Sequence, residues 1–503
     1  MLSVYAPTDI HEQLRGFLQQ EDRLEELVRL VDLLEERPAA NAHSVMIRKG
    51  EIHTGIDWHN IYPPYLLPDA IDLDGPNFLG LLYARLNNFE RCQALLSSHN
   101  PSLYLELDIL NRLQQGIEVA PEELPSSYSP FEEYRLMHNQ AIVLHYSSAL
   151  DTPNLNKAKY FYLEALQCSP NEEYRAFTAQ HFALLLLDSG AHEDADRVVN
   201  IALHSDISAD ARMELQRTRC QIWTQHLTPP YPQDKLAALQ QMMRDVLGHY
   251  ESQGRDVEQA LLLLEAGQIA QFSENWSESH GCYNKALTAF ERENLPLLAA
   301  EANYRKGILL LAWAQANNPQ FYRPAAESFQ KAVQIFTREE APQVYADIQH
   351  HLGIIYADIP DEVKKKSIWA GVSSSAFREA LDIYQKDTHP HAYATVCNHY
   401  GNALTKYPQA KLSDNFEKAL FYYQEALSIR TAAEFPTERC LILLNYLNAQ
   451  WHLGMEEDKL DETRYQDMVD KAEEAARLAT DDALREEATA HLKELEQLRS
   501  AYA

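Results

Sequence analysis

The chain has 503 residues, 46% of them hydrophobic and only 16 of them glycine, which is ample material for a continuous core with few breaks in regular structure. Single cores stop growing at roughly 250–300 residues, so this length calls for several domains or a repeat array. Asp plus Glu number 74 against 44 Lys plus Arg, and the resulting charge of −30 disfavours nucleic-acid phosphates and anionic lipid while favouring neutral or basic partners.

In chain order, residues 1 to about 37 read as one or two amphipathic helices through Leu24, Leu27, Val28, Val31 and Leu34, stopped near Pro38. From 38 to 78 the periodicity lapses. Pro38, Pro63, Pro64, Pro68 and Pro76 stand there among Trp58, Tyr62 and Tyr65, which predicts a long ordered connection packed by its aromatics. Helical patterning returns near 77–100, giving an N-terminal helical region over 1–125. No Asn-Gly or Asp-Gly hairpin signal occurs between alternating runs, so strands are not expected.

A fixed period then governs the chain. Four segments begin with an aromatic, carry Ala three residues later and reach Pro thirteen residues after the aromatic: Tyr283/Ala286/Pro296, Phe329/Ala332/Pro342, Phe377/Ala380/Pro390 and Tyr423/Ala426/Pro436, offset by 46, 48 and 46. In the first three a Gly follows the Pro by eleven residues (Gly307, Gly353, Gly401); the fourth has Leu447 there. The aromatic and Ala mark one helix of a pair, the small Ala admitting a close neighbour. Proline lacks a donor that the first helical turn leaves unpaired anyway, so each Pro suits the first position of the next helix. Glycine inside a helix costs about 1 kcal/mol against Ala, so its recurrence implies a tight crossing.

These residues resemble the tetratricopeptide family, with Leu-Gly and a Tyr on helix A and Ala, aromatic, Ala on helix B. Leu352-Gly353 with Tyr356, Leu79-Gly80 with Tyr83, Ala325-Phe329-Ala332 and Ala419-Tyr423-Ala426 carry the likeness. Two copies keep a 34-residue register, Ala183/Ala195/Val199/Ala202 and Gly267/Ser279/Tyr283/Ala286; Ala158-Tyr162-Ala165 with Pro170 closes a pair whose first helix lies around Phe131–Tyr146. The longer copies insert Asn317–Pro324, Ile359–Val372 and Tyr407–Ser413 between helices A and B. With Phe435-Pro436 and the Asn398/Gly401/Asn402 spacing, they look like arrays in bacterial proteins beside caspase-like CHAT peptidase domains, although no peptidase sequence is present. The likeness covers roughly 130–480. It implies an all-α, right-handed superhelical solenoid of antiparallel helix pairs over 126–480, a degenerate pair near 77–100, and a charged C-terminal capping helix over 481–503.

Catalytic signatures are wanting. His53, Asp57 and His59 lie close in the 38–78 segment and are read either as metal ligands or as hydrogen-bonded loop residues; their spacing is not a helical i, i+4 pair. His350-His351 and His389/His391 fall at repeat positions, where a surface or groove histidine outweighs a ligand. Neither a phosphate loop nor a nucleophile elbow occurs. Lys364, Lys365 and Lys366 form the one basic run, read as solvated. Six scattered cysteines, with no C-x-x-C pair, no leader-like N-terminus and no apolar run of 18 residues, place the chain in a reducing cytoplasmic setting without membrane insertion. No catalytic residue, cofactor or metal is expected.

The resemblance further implies a concave wall lined by helices A, with inward positions six and three residues before the recurrent Gly and one, four and five after it. They are Glu301, Tyr304, Asp347, His350, Asp358, Thr395, Asn398, Asn402, Lys406, Asn448 and His452. Asn398 and Asn402 share a helix face, and each carboxamide offers donor and acceptor either to a peptide backbone or to the adjacent helix. Asp347 and Asp358 would make the wall acidic. The leading function is a scaffold or adaptor binding a neutral to basic protein segment in this groove. A sensor whose curvature responds to a peptide or partner is the second reading; an enzyme or metal protein using 38–78 is the third.

Overall fold

The computed structural model describes residues 2–33, 44–59, 63–125, 129–147, 151–408, 414–453 and 460–502. Leu34, Pro38, Tyr62 and residues 409–413 of the third insertion lie outside them. Two compact units divide the chain, Met1–Gln253 and Gly254–Ala503.

The first unit opens with β1 (Leu2–Ala6), α1 (His11–Leu18), β2 (Val28–Asp32), β3 (Ser44–Arg48), β4 (Glu51–His53) and β5 (Ala70–Asp72), the strands forming a sheet in the order β2-β1-β3-β4-β5. β1 is parallel to β2 and β3, whereas β3–β4 and β4–β5 are antiparallel. This corrects the reading of 1–37 as amphipathic helices. Only α1 is helical as expected, burying Leu14 and Leu18; Val28 and Val31 belong to β2. Short apolar runs fit either period, and the Leu2/Val4/Ala6 alternation of β1 supplies an edge on which β-branched Val28 and Val31 pair. The β3–β4 hairpin turns at Lys49-Gly50, both with positive φ, a turn that an Asn-Gly search overlooks.

Helices α2 (Gly75–Arg85), α3 (Phe89–Leu96) and α4 (Pro101–Gln114) follow, then pairs α5 (Pro130–Tyr146) with α6 (Thr152–Cys168), α7 (Glu172–Asp188) with α8 (His192–Leu203), and α9 (Ala209–Gln225) with α10 (Gln233–Ser252). The second unit is helical throughout its described residues. Its pairs are α11 (Asp256–Phe272) and α12 (Trp276–Arg292), α13 (Pro296–Gln315) and α14 (Tyr322–Ala332), α15 (Pro342–Asp358) and α16 (Val363–Ile383), α17 (Pro390–Lys406) and α18 (Asn415–Leu427), α19 (Pro436–His452) and α20 (Glu462–Leu478), with α21 (Asp482–Ala501) last. The first member of each pair is helix A, the second helix B.

Each repeat proline is the first residue of a helix A. The glycines mark the crossings. A Cβ on Gly307 or Gly353 would stand 2.9 Å from the ring of Phe329 or Phe377, and one on Gly267 or Gly401 only 2.6 or 2.5 Å from Tyr283 or Tyr423. At Leu447 the volume is redistributed: this fully buried leucine packs with Met468 of α20, where the other pairs of the second unit place an aromatic ring. The insertions lengthen helix B or its approach, as a 3-10 turn at Pro319–Phe321 before α14 and as the first turns of α16. Lys365 and Lys366 lie exposed in those turns. All six cysteines are free thiols.

Candidate binding groove

The expected groove residues all stand on helices A of the second unit. Glu301 and Tyr304 are on α13; Asp347, His350 and Asp358 on α15; Thr395, Asn398, Asn402 and Lys406 on α17; Asn448 and His452 on α19. Most engage a neighbour. Lys406 Nζ reaches Asp358 Oδ1 at 2.6 Å, and His350 Nε2 meets His399 Nδ1 at 2.7 Å, so both contacts tie α15 to α17. Glu301 accepts from Arg305 Nε at 2.6 Å, Asp347 accepts the Tyr384 hydroxyl at 2.8 Å, and Thr395 accepts from Arg430 at 2.9 Å. Tyr304 lies edge-on to Phe329, His452 stacks on Phe416, and Asn448 donates to Glu487 of α21 at 3.2 Å.

The two asparagines divide their groups. Asn398 Oδ1 accepts from Asn445 Nδ2 of α19 at 3.4 Å, and Asn402 Oδ1 accepts the Tyr423 hydroxyl at 2.7 Å. Their Nδ2 donors make no hydrogen bond among the described residues. The acidic wall is partly neutralised from within, since Asp358 and Glu301 each carry a cationic partner. Burial holds the Asp347 carboxyl above its usual range and pushes Tyr304 up to about 12. It also lowers His350 far below the ordinary imidazole value and His351 to about 4, so both are neutral hydrogen-bonding groups at pH 7.

In the first unit, helix A side chains at comparable positions hold a segment of the chain itself. Pro130 begins α5, and eleven residues on, in the place of the repeat glycine, stands the fully buried Ala141. Arg135 and His138 therefore hold the positions six and three before it, and Asn139 follows. Residues 63–69 have neither helix nor strand and lie against these side chains. Asn139 Oδ1 accepts from the Leu66 N–H at 2.9 Å while its Nδ2 donates to the Leu66 carbonyl at 2.8 Å. Arg135 Nη1 donates to the same carbonyl at 3.1 Å and to Glu106 at 2.7 Å. His138 Nε2 lies 2.8 Å from the Pro64 carbonyl oxygen and so carries the proton, while its Nδ1 accepts from Thr178 at 3.0 Å. The Tyr65 hydroxyl bonds to Glu106, whose carboxyl burial raises despite the adjacent guanidinium. Upstream, Trp58 packs edge-on against Phe177 of α7, ring centroids 5.2 Å apart, and donates to Glu173 at 2.8 Å.

Glycine spacing does not reveal Arg135, His138 and Asn139, because Ala141 stands where later copies have Gly307, Gly353 and Gly401. Counting from proline finds them, and finds His399 and Asn445, nine residues after Pro390 and Pro436 as Asn139 is after Pro130. Elsewhere, His53 lies in β4 beside Glu51, and Asp57 accepts from the His59 backbone N–H at 3.0 Å. No three His, Cys, Asp or Glu side chains gather as a metal site among the described residues. His389 caps α17 and His391 packs on Phe435. No helix among the described residues is long and apolar enough to cross a membrane.

Antiparallel helix pairs, four of them in the second unit crossing where a helix A glycine sits under a helix B ring, make this an all-α protein of tetratricopeptide-type repeats. No protein-family model and no curated protein matches the chain. Among solved structures it is similar to a signal-transduction ATPase with a tetratricopeptide repeat sensor from Pyrococcus horikoshii (15% identity, TM-score 0.48, 70% of this chain and 52% of that one). It is also similar to the apo form of RapI (13%, 0.45, 74% and 98%) and to yeast Tom70 (13%, 0.36, 84% and 82%). The chain thus spans about half the length of the ATPase. With scores below 0.5, nothing about ligand or activity passes from these proteins to this one.

Proposed function

We propose that this protein is a non-enzymatic adaptor whose helix A faces hold an extended segment of another protein. The observation that carries the reading is the grip of Asn139, Arg135 and His138 on the backbone of Pro64 and Leu66. It supports a side-chain-tolerant mode of recognition: one carboxamide meets both the N–H and the C=O of a residue, so affinity comes from the main chain and the adjacent pockets add selectivity.

In the second unit the corresponding surface is the one carrying Glu301, Tyr304, Asp347, His350, Asp358, Thr395, Asn398, Asn402, Lys406, Asn448 and His452, with His399 and Asn445 added. The free amide donors of Asn398 and Asn402 face carbonyl oxygens of the bound segment. The formal charge of −30 favours a neutral to basic partner. The test is to isolate the partner by affinity purification, map the bound segment, and measure its Kd for wild type and for Asn398→Ala. One lost neutral hydrogen bond costs about 0.5–1.5 kcal/mol, a two- to tenfold weakening. Wild-type affinity in Asn398→Ala and in Asn448→Ala alike would remove the groove as the binding face.

A further inference from the structure

Three of the four helices that start on a repeat proline carry a long side chain three residues later: Tyr345 on α15, Tyr393 on α17 and Arg439 on α19. Each meets a carboxylate on helix B of its own pair. Tyr345 donates to Glu379 at 3.4 Å, Tyr393 to Glu425 at 3.0 Å, and Arg439 to Glu474 at 2.7 Å. On α13 that position is Ala299, and two residues after the repeat aromatic, where Glu379 and Glu425 stand, is Lys331. An open cavity of about 440 Å³ lies here, with Phe290, Leu295, Ala299 and Ile335 on its apolar walls and Lys331 and Glu291 at its charged edge.

We propose that this slot binds a tyrosine side chain of a partner protein. Its volume falls within the roughly 300–1,000 Å³ of side-chain and ligand pockets. The fold itself shows what fits: the equivalent places on α15 and α17 are filled by the chain's own tyrosines. The charged groups select the phenol, whose oxygen accepts from the exposed Lys331 ammonium while its proton goes to Glu291. A phenylalanine ring offers neither group a partner and leaves both to water, and a carboxylate would face Glu291. The slot shares no lining residue with the proposed groove.

N-acetyl-L-tyrosinamide and N-acetyl-L-phenylalaninamide are the probes, read by saturation-transfer NMR on the full chain. Tyrosinamide is expected to bind in the millimolar range, several-fold tighter than phenylalaninamide, and to be lost in Ala299→Tyr, which fills the slot and raises the melting temperature. Ala299→Leu serves the same purpose should the tyrosine variant not fold. Lys331→Met, at an exposed site, is expected to equalise the two probes. Absence of tyrosinamide binding by wild type, equal binding of the two probes by wild type, or retained binding in a folded Ala299 variant would overturn the assignment.

Discussion

Asn139 and Leu66 form a closed pair in which one carboxamide satisfies both backbone groups of one residue, at 2.9 and 2.8 Å, with the asparagine itself buried. The two bonds are not equally replaceable. The Leu66 carbonyl keeps Arg135 as a second donor, but the Leu66 N–H has no other described acceptor. Asn139→Ala should therefore cost the first unit about 1–3 kcal/mol, the price of one stranded buried donor. Urea unfolding gives the loss, and hydrogen exchange should show faster exchange at the 65–67 amides. Undiminished protection there would mean that the segment is held by its side chains and not by its backbone.

Protonation acts on the same contact. Burial lowers His138 from 6.5 to about 4. The unfolded chain then takes the proton first as pH falls, so the neutral imidazole's contribution is complete above pH 6.5 and is lost progressively between 6.5 and 4. For this one residue the full effect is of the order of 3 kcal/mol. His181, His350 and His351 are shifted the same way, so total stability should fall steeply over that range. His138→Gln should flatten the pH dependence of the melting temperature in comparison with wild type; an identical slope would show that His138 takes up its proton at the same pH in the folded and unfolded chain.

Glycines in helices separate packing from propensity. Gly401→Ala places a Cβ 2.5 Å from the Tyr423 ring, whereas Gly371→Ala in α16 meets nothing within 4 Å. The first should destabilise by about 1–3 kcal/mol through overpacking. The second should stabilise by about 0.4–1 kcal/mol, because alanine is the better helix former. Opposite shifts in melting temperature are the expected result; no fall for Gly401→Ala would mean that this crossing relaxes freely, and a fall for Gly371→Ala that its site is not open space.

Where each residue class repeats at a fixed offset, the sequence reading reached the fold: Pro342, Gly353 and Phe377 sit where spacing put them, as helix start, crossing and ring. It failed where neighbours decide. Val28 and Val31 carry an apolar pattern compatible with either period, and only pairing with β1 makes them a strand. Asn139 was invisible because its register marker is alanine. The grip on Leu66 is a contact across 73 residues, which no local pattern encodes.

The asparagines of α17 make the sharpest separation between fold and binding. They share a helix face, yet their oxygens answer to different partners. Asn402 supplies the acceptor for the hydroxyl of Tyr423, a residue only 1% exposed, whereas Asn398 makes a long 3.4 Å contact with Asn445. Asn402→Ala should strand that hydroxyl and lower stability by about 1–3 kcal/mol, and Asn402→Asp, which keeps an oxygen there, should recover most of it. Asn398→Ala should change stability by less than about 0.5 kcal/mol. Both alanine variants remove an outward amide donor, so both should weaken the partner two- to tenfold under conditions where each is fully folded. Thermal unfolding and a binding titration on the same preparations give both quantities. A binding loss confined to Asn402→Ala that vanishes in Asn402→Asp would mean that the helix pair needs Tyr423 anchored and that the amides themselves do not touch the partner.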